Sequence, residues 1–223
     1  MVPGARLVIL GRQGAGKGTQ CVRLARHYVV PHISTGDIFR AAVKEGTEFG
    51  QKLNEFMRAG KLVPDEIVIG VVRERLTQPD TQSRGFIFDG FPRTAAQAEA
   101  LDTMLHEEGM PLDLAIDLEV PVDFALTRLA ARRTCSTCAA IYSTHKPPSV
   151  NWTCDNCGGE VVQRADDTED AIRTRLAAYD SDTEPLIAWY LSKDLLTAID
   201  GLGNPDEVLA RLTWAIDHRG HRD

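Results

Sequence analysis

No apolar run in this 223-residue sequence approaches the roughly 18–20 residues that a membrane-spanning helix requires. From Met1 through Pro3 and Arg6 the chain reaches only four apolar residues, Leu7–Leu10, too short for the apolar segment of a secretory signal. A cytoplasmic location, away from membranes, is therefore expected. Positive charge is also scarce: 25 Lys and Arg stand against 32 Asp and Glu, for a net charge of −7. That balance argues against a general binder of nucleic-acid backbones, yet leaves room for a small polyanionic ligand held by local cations. There is no internal repeat and no low-complexity tract. With 43% hydrophobic and 26% charged residues, collagen, coiled coil and bulk disorder are excluded. The six histidines form no nucleophile–base set. The length suits one domain carrying a small insertion.

Strands and helices alternate along the chain. Leu7–Leu10 reads as a strand, Lys17–Tyr28 as an amphipathic helix and His32–Ile33 as a short extended piece. Asp37–Lys44, Glu48–Met57 and Glu66–Leu76 read as helices, with a loop over Gly60–Pro64. Phe86–Phe88 and Leu114–Leu118 are buried-strand candidates. Ala95–His106 and Val122–Arg132 are helical, and periodicity is lost from Arg133 to about Asp167. A helix follows over Thr168–Tyr190, with a break allowed at Pro185, then a strand over Leu195–Ile199. A last helix is capped by Asn204 and opened by Pro205. This order predicts an α/β fold, a mostly parallel sheet covered by helices on both faces.

Gly11-Arg12-Gln13-Gly14-Ala15-Gly16-Lys17-Gly18-Thr19 joins the first strand to the first helix. Glycines let the backbone curl so that several N–H groups face one phosphate cluster, and the helix N-terminus adds positive potential. Lys17 can reach terminal phosphate oxygens, and Thr19 lies near a phosphate-bound metal. The pattern predicts nucleoside triphosphate binding; hydrolases, kinases and switches all share it.

Further along, Ser34-Thr35-Gly36-Asp37 precedes Arg40 by one helical turn. Asp89-Gly90-Phe91-Pro92-Arg93 ends a strand and is followed by Gln97. Taken singly, Arg40 reads equally well as a solvated arginine and Asp89 as a helix cap. Together, two arginines aimed at one phosphate beside a carboxamide form a nucleoside monophosphate pocket. Arg128, Arg132, Arg164 and Arg175 flank the aperiodic segment, with Arg128 and Arg132 expected on one helix face. Within that segment, Cys135 and Cys138, then Cys154 and Cys157, have the spacing of a four-thiolate zinc ribbon. The alternatives are unrelated buried thiols or short-loop disulfides; a reducing compartment disfavours the latter. Iron or cobalt suits the same ligands. Four thiolates leave no open position, so the metal should be structural. Cys21, on the first helix, reads as a small buried hydrophobe.

These motifs, with Gly60-Lys61-Leu62-Val63, resemble the adenylate kinase family in its long-lid, zinc-binding form, over about Leu7 to Val208. The resemblance implies a P-loop core over 1–33, 64–130 and 168–223, an AMP-binding region over 34–63 and a zinc-ribbon lid over 131–167. It implies that Thr35, Arg40, Gly90, Phe91, Pro92, Arg93 and Gln97 hold AMP, with Lys61, Leu62 and Val63 closing over its adenosine. ATP falls to Gly14, Ala15, Gly16, Lys17, Gly18, Thr19, Arg128, Arg132, Ile141, Tyr142 and the backbone near Gly203. Arg164 and Arg175 bridge both nucleotides' phosphates, and Asp89 positions Mg²⁺ through water. Lys17, Arg93, Arg132, Arg164, Arg175 and Asp89 form the implied catalytic set, with ADP as product and a structural Zn²⁺. Two positions depart from the family pattern: Gln13 stands where Pro is frequent, and Ala139 where Gly is usual after the second lid cysteine.

Two rival expectations stand beside this one. Another acceptor (UMP, CMP or GMP) is the nearer, although Thr35 and Gln97 favour adenine. The other is a nucleotide-dependent module whose ribbon binds RNA or protein through Tyr142, Trp152, His145 and Lys146. A monomer with no nucleic-acid partner is expected.

Overall fold

A computed structural model describes residues 4–219. Residues 1–3 and 220–223 of the expected core, and with them Met1 and Pro3 from the export-signal reading, lie outside the described residues. In chain order the elements are β1 (Ala5–Leu10), α1 (Lys17–Tyr28), β2 (His32–Ser34), α2 (Thr35–Lys44), α3 (Glu48–Arg58), α4 (Asp65–Leu76), α5 (Pro79–Arg84), β3 (Gly85–Asp89), α6 (Ala95–Glu107) and β4 (Leu114–Glu119). Then come α7 (Val122–Ala131), β5 (Arg132–Cys135), β6 (Ile141–Ser143), β7 (Val161–Val162), α8 (Glu169–Ala178), a π-helical segment (Tyr179–Thr183), α9 (Pro185–Ser192), β8 (Leu196–Asp200) and α10 (Pro205–Asp217).

The central sheet has five parallel strands in the order β2-β3-β1-β4-β8. Because side chains alternate along a strand, each strand feeds two apolar layers. Val8, Leu10, Phe86 and Phe88 face one layer, which also holds Phe91, Leu101 and Tyr190. Leu7, Ile9, Ile87 and Ile116 face the other, packed against Cys21 and Leu24 of α1 and Leu212 and Ile216 of α10. Ala5 pairs with Gly85 and Ile9 with Asp89, so β1 and β3 release the phosphate loop and Asp89 at the same edge. In open parallel sheets this carboxyl edge is where ligands bind.

Three differences from the expected elements have local causes. Arg132 is the first residue of β5, not the end of a helix, so it does not share a helix face with Arg128. The aperiodic segment forms a small antiparallel sheet, β6-β5-β7, whose strands are too short for alternation to register. The break before α9 is a π-helical turn over Tyr179–Thr183, ahead of Pro185. The helix α5 is additional; its five polar residues carry no periodic signal, and only Pro79 at the first position marks it.

Candidate active site

The phosphate loop takes its shape from three left-handed glycines, Gly11 (φ 128°), Gly14 (φ 86°) and Gly16 (φ 103°). A Cβ on Gly14 would lie 2.4 Å from the Ala125 carbonyl oxygen, so only glycine fits where the loop passes α7. Gly16 starts α1 without a side-chain cap, and the first turn holds no acidic residue, which leaves the helix N-terminal N–H groups open to an anion. Lys17 Nζ folds back onto the carbonyl oxygens of Gly11 and Arg12. Burial lowers its pKa to about 8, partly countered by the nearby Asp89 carboxylate. Gly18 lies against Asp89, whose Oδ2 is 3.3 Å from where a Cβ would stand, with Ile141 of β6 beside it. Thr19 is half-buried in the first turn of α1.

Arg12 leans away from the loop onto the π-helical segment. It donates to Asp180 Oδ1 at 2.9 Å, reaches Glu184 Oε2 at 3.5 Å and lies over the Tyr179 ring. Arg128 braces the other side: its guanidinium donates to the Ala15 carbonyl at 3.0 Å and covers the Phe124 ring. Gln13, in the place of a frequent Pro, leaves the loop's glycine conformations intact.

Asp89 is half-buried at the end of β3. Burial opposes its ionisation, but the neighbouring His32, Lys17 and Arg93 together hold its pKa below the ordinary carboxylate range. It can therefore offer an anionic oxygen to a cation or its water at neutral pH.

A cleft opens beside it, lined by Thr35, Arg40, Lys61, Leu62, Val63, Gly90, Arg93, Gln97 and Arg175 together with Phe39, Met57, Val68 and Asp166. Ser34 caps α2 by accepting from the Asp37 N–H at 3.2 Å, and Arg40 pairs with Asp37. Thr35 Oγ1 donates to the Gly90 carbonyl at 3.0 Å, and Arg93 Nε donates to the same oxygen at 2.7 Å. Gln97 accepts from the Arg93 N–H at 2.8 Å and donates to Asp65 Oδ1 at 2.7 Å; Thr94 donates to the other Asp65 oxygen. Asp65 thus fixes Gln97, a role its place after Pro64 did not announce. Phe91 and Pro92 turn into the interior, where Phe91 stacks near Phe88 at 5.4 Å, so their side chains do not line the cleft.

The later arginines converge on the same space. Burial lowers the pKa of Arg93 and of Arg164 to about 10, assisted by mutual repulsion with Arg175, Arg40 and Arg132. Arg132, Arg164 and Arg175 each have a carboxylate or hydroxyl partner. Arg132 donates through Nε to Asp167 Oδ2 at 2.8 Å and through Nη2 to Asp167 Oδ1; Arg175 reaches Asp166 at 3.2 Å and Asp167 at 3.4 Å. Arg164 Nε donates to Thr134 Oγ1 at 3.0 Å. Asp166 and Asp167 are the residues that sequence reasoning passed over, although the run Arg164-Ala165-Asp166-Asp167 places them beside an arginine.

In the small sheet, Cys135 Sγ lies 3.5 Å from Cys157 Sγ, and Cys138 Sγ lies 3.5 Å from Cys154 Sγ, with all four sulfurs within 4.8 Å of one another. The tetrahedral edge of a zinc–thiolate site with ~2.3 Å bonds is about 3.8 Å, so the thiols are spaced for a metal. The Thr137 and Cys138 N–H groups point at Cys135 Sγ, which favours its thiolate form. A Cβ on Gly159 would meet Thr137 Oγ1 at 2.4 Å and Cys135 Sγ at 3.0 Å. Ala139 takes the left-handed turn (φ 60°) after Cys138 that Gly158 (φ 72°) takes after Cys157. Tyr142 serves this cluster: its hydroxyl lies 3.4 Å from Cys154 Sγ and accepts from the Asp155 N–H. Gly203 (φ 111°) leads into the capping box of α10, at the carboxyl end of β8. Lys44 of α2 donates to the Ser136 carbonyl, so the expected covers touch.

A family model described as adenylate kinase matches residues 9–195. The adenylate kinase of Thermodesulfovibrio yellowstonii is 53% identical over 215 residues, covering 96% of this chain and 100% of that protein. That of Streptomyces griseus is 47% identical over 213 residues, covering 95% and 97%. That of Archaeoglobus fulgidus is 52% identical over 196 residues, covering 87% and 90%. The matched span takes in the phosphate loop, the arginine-lined cleft and the cysteine cluster, and likeness of this depth over nearly the whole chain makes it a member of the adenylate kinase family.

Proposed function

We propose that this chain catalyses the reversible, Mg²⁺-dependent transfer of the terminal phosphoryl group of ATP to AMP, yielding two ADP. The observation that carries the reading is the convergence of Arg40, Arg93 and Arg175 on the cleft beside Lys17, with Arg164 and Arg132 close by at its edge. Arginines that repel one another at close quarters need polyanionic guests, and two nucleotides meeting end to end supply them.

AMP takes the cleft of Thr35, Arg40, Gly90, Arg93 and Gln97, with its adenosine under Lys61–Val63. ATP lies along the phosphate loop, with Lys17 on its terminal phosphates. An AMP phosphate oxygen attacks the γ-phosphorus as the bond to the β–γ bridging oxygen breaks, and ADP leaves. The attacking oxygen is already anionic, so no general base is needed; catalysis is positioning and charge neutralisation by Lys17 and the arginines. Mg²⁺, when bound with ATP, would neutralise phosphate charge, and the ionised Asp89 would suit the holding of its water. Residues 34–63 and 131–167 act as covers that shut out water, with a structural Zn²⁺ on Cys135, Cys138, Cys154 and Cys157 replacing a core in the second. The chain acts as a cytoplasmic monomer.

The test is a product assay with ATP against AMP, UMP, CMP and GMP. AMP should be the strongly preferred acceptor, with two ADP formed per ATP consumed. A larger rate with another monophosphate overturns the acceptor assignment, and ATP hydrolysis without transfer overturns the reaction.

A further inference from the structure

A second group of metal-binding side chains lies beneath the phosphate loop. Cys21 faces the sheet from α1 and is fully buried. His32 opens β2 and Asp89 closes β3, and the parallel pairing of those strands sets His32 opposite Ile87, two positions before Asp89, so the imidazole and the carboxylate share one face of the sheet. A sulfur, an imidazole nitrogen and a carboxylate oxygen lie within 4.8 Å of one another. His32 Nε2 is a buried nitrogen that faces Asp89 Oδ2 at 3.4 Å and makes no better hydrogen bond among the described residues. Buried polar nitrogens are nearly always well satisfied, and a cation between the imidazole and the carboxylate would replace this one long contact with two bonds. Phosphoryl transfer makes no use of Cys21, and of His32 only as a neighbour that keeps Asp89 ionised.

We infer that Cys21, His32 and Asp89 form a site for a thiophilic divalent cation of the zinc class, distinct from the phosphate-bound Mg²⁺ and from the four-cysteine cluster. Thiolate and imidazole select zinc, cobalt or cadmium, whereas Mg²⁺ requires oxygen ligands. On binding, the Cys21 thiol releases its proton to solvent and the sulfur bonds the metal. His32 gives the Nε2 lone pair, Asp89 one oxygen, and water the fourth position. One thiolate, one carboxylate and a divalent cation sum to zero charge, against −1 for the empty site with its thiol protonated, so occupancy also withdraws the carboxylate attraction that Lys17 feels. His32 and Asp89 retain side-chain exposures of 18% and 16%, which gives the ion a way in from the cleft. A metal so held draws Asp89 away from the nucleotide-bound Mg²⁺ and slows transfer. This inhibitory half rests on the proposed role of Asp89; the binding half does not.

The experiment uses full-length protein loaded with one zinc per chain and titrated with Co²⁺. A further equivalent should bind with a thiolate-to-cobalt charge-transfer band, and Cys21→Ser should remove that band while retaining the lid metal. His32→Gln, altered at the rim of the core, should weaken the extra binding by about tenfold or more. Turnover is followed in parallel against added Zn²⁺, each variant relative to its own zinc-free rate; the half-inhibitory concentration should rise about tenfold in both variants. No extra equivalent, or an identical band in Cys21→Ser, overturns the site. A Cys21-dependent band with undiminished turnover overturns the inhibitory half, and with it the reading of Asp89, while the site stands.

Discussion

Arg132 grips Asp167 with two guanidinium nitrogens, and the Asp167 side chain has no exposure to solvent. The pair joins the first strand of the small sheet to the segment leading into α8, across the base of the expected lid. With Arg175 also reaching Asp167, the carboxylate occupies in the free protein the place of an anion among cations. Removing it leaves buried arginine charge without a partner, which costs far more than losing an exposed pair. Asp167→Asn should lower the unfolding free energy by about 3 kcal/mol, measured by urea denaturation. A loss no larger than that of an exposed pair such as Arg173–Glu169, at about 0.5 kcal/mol, overturns the structural role given to this contact.

The half-buried Lys17 predicts a proton linkage. Its pKa of about 8 lies below the ordinary lysine value because burial penalises the ammonium. Below pH 8 the free fold carries this penalty in full, and it is relieved as pH rises toward the unfolded-state value, so Lys17 makes the free protein more stable over that window. Triphosphate does the reverse: it favours the ammonium and raises the pKa. Binding of ATP at pH 8–9 should therefore take up protons, seen by calorimetry in buffers of different ionisation enthalpy. Lys17→Arg, which stays charged, should bind without that uptake. Equal uptake in both proteins places the linkage elsewhere.

How much of this was legible in the sequence divides by the range of the interaction. The phosphate loop could be read because its glycines answer a local backbone demand, and the cysteine pairs because ligand spacing is local too. The layered sheet followed from apolar runs such as Phe86–Phe88. Asp65, Asp166 and Asp167 escaped notice because a carboxylate's partner is set by tertiary approach: Asp65 reaches Gln97 across 32 positions and Asp167 reaches Arg132 across 35. Arg132 was misplaced onto a helix because Leu129-Ala130-Ala131 continues the helical pattern up to the residue where pairing with Ser143 takes over. The lid strands, two to four residues long, offer no period to detect.

The cysteine cluster predicts a separation of stability from chemistry. The apolar residues buried around it are few, with Val161 the one buried aliphatic side chain of its packing cluster, so a metal must supply what a core would. Purified protein should carry about one tetrahedral zinc per chain. Cys135→Ser should lower the melting temperature by several degrees, yet at low temperature reduce turnover by less than it destabilises the fold. Metal-free protein with an unchanged melting curve refutes the structural assignment.

Arg93 offers the sharpest test of the chemistry. Its Nε is held by the Gly90 carbonyl and its backbone by Gln97 and Thr183, so the guanidinium is aimed before any nucleotide arrives. Repulsion from Arg175 and Arg40 makes the free site electrostatically costly, a cost that phosphate relieves. Arg93→Ala should therefore leave the fold as stable as before, or more so, because one of several crowded cations is gone. Turnover should fall at least about tenfold, a loss of about 1.4 kcal/mol of transition-state stabilisation or more. The same fall is expected for Arg132→Ala, but there the fold should weaken too, because Asp167 loses its main partner. Steady-state kinetics and denaturation on both variants separate the roles: near-normal turnover in Arg93→Ala removes it from the reaction, and unchanged stability in Arg132→Ala removes the lid contact.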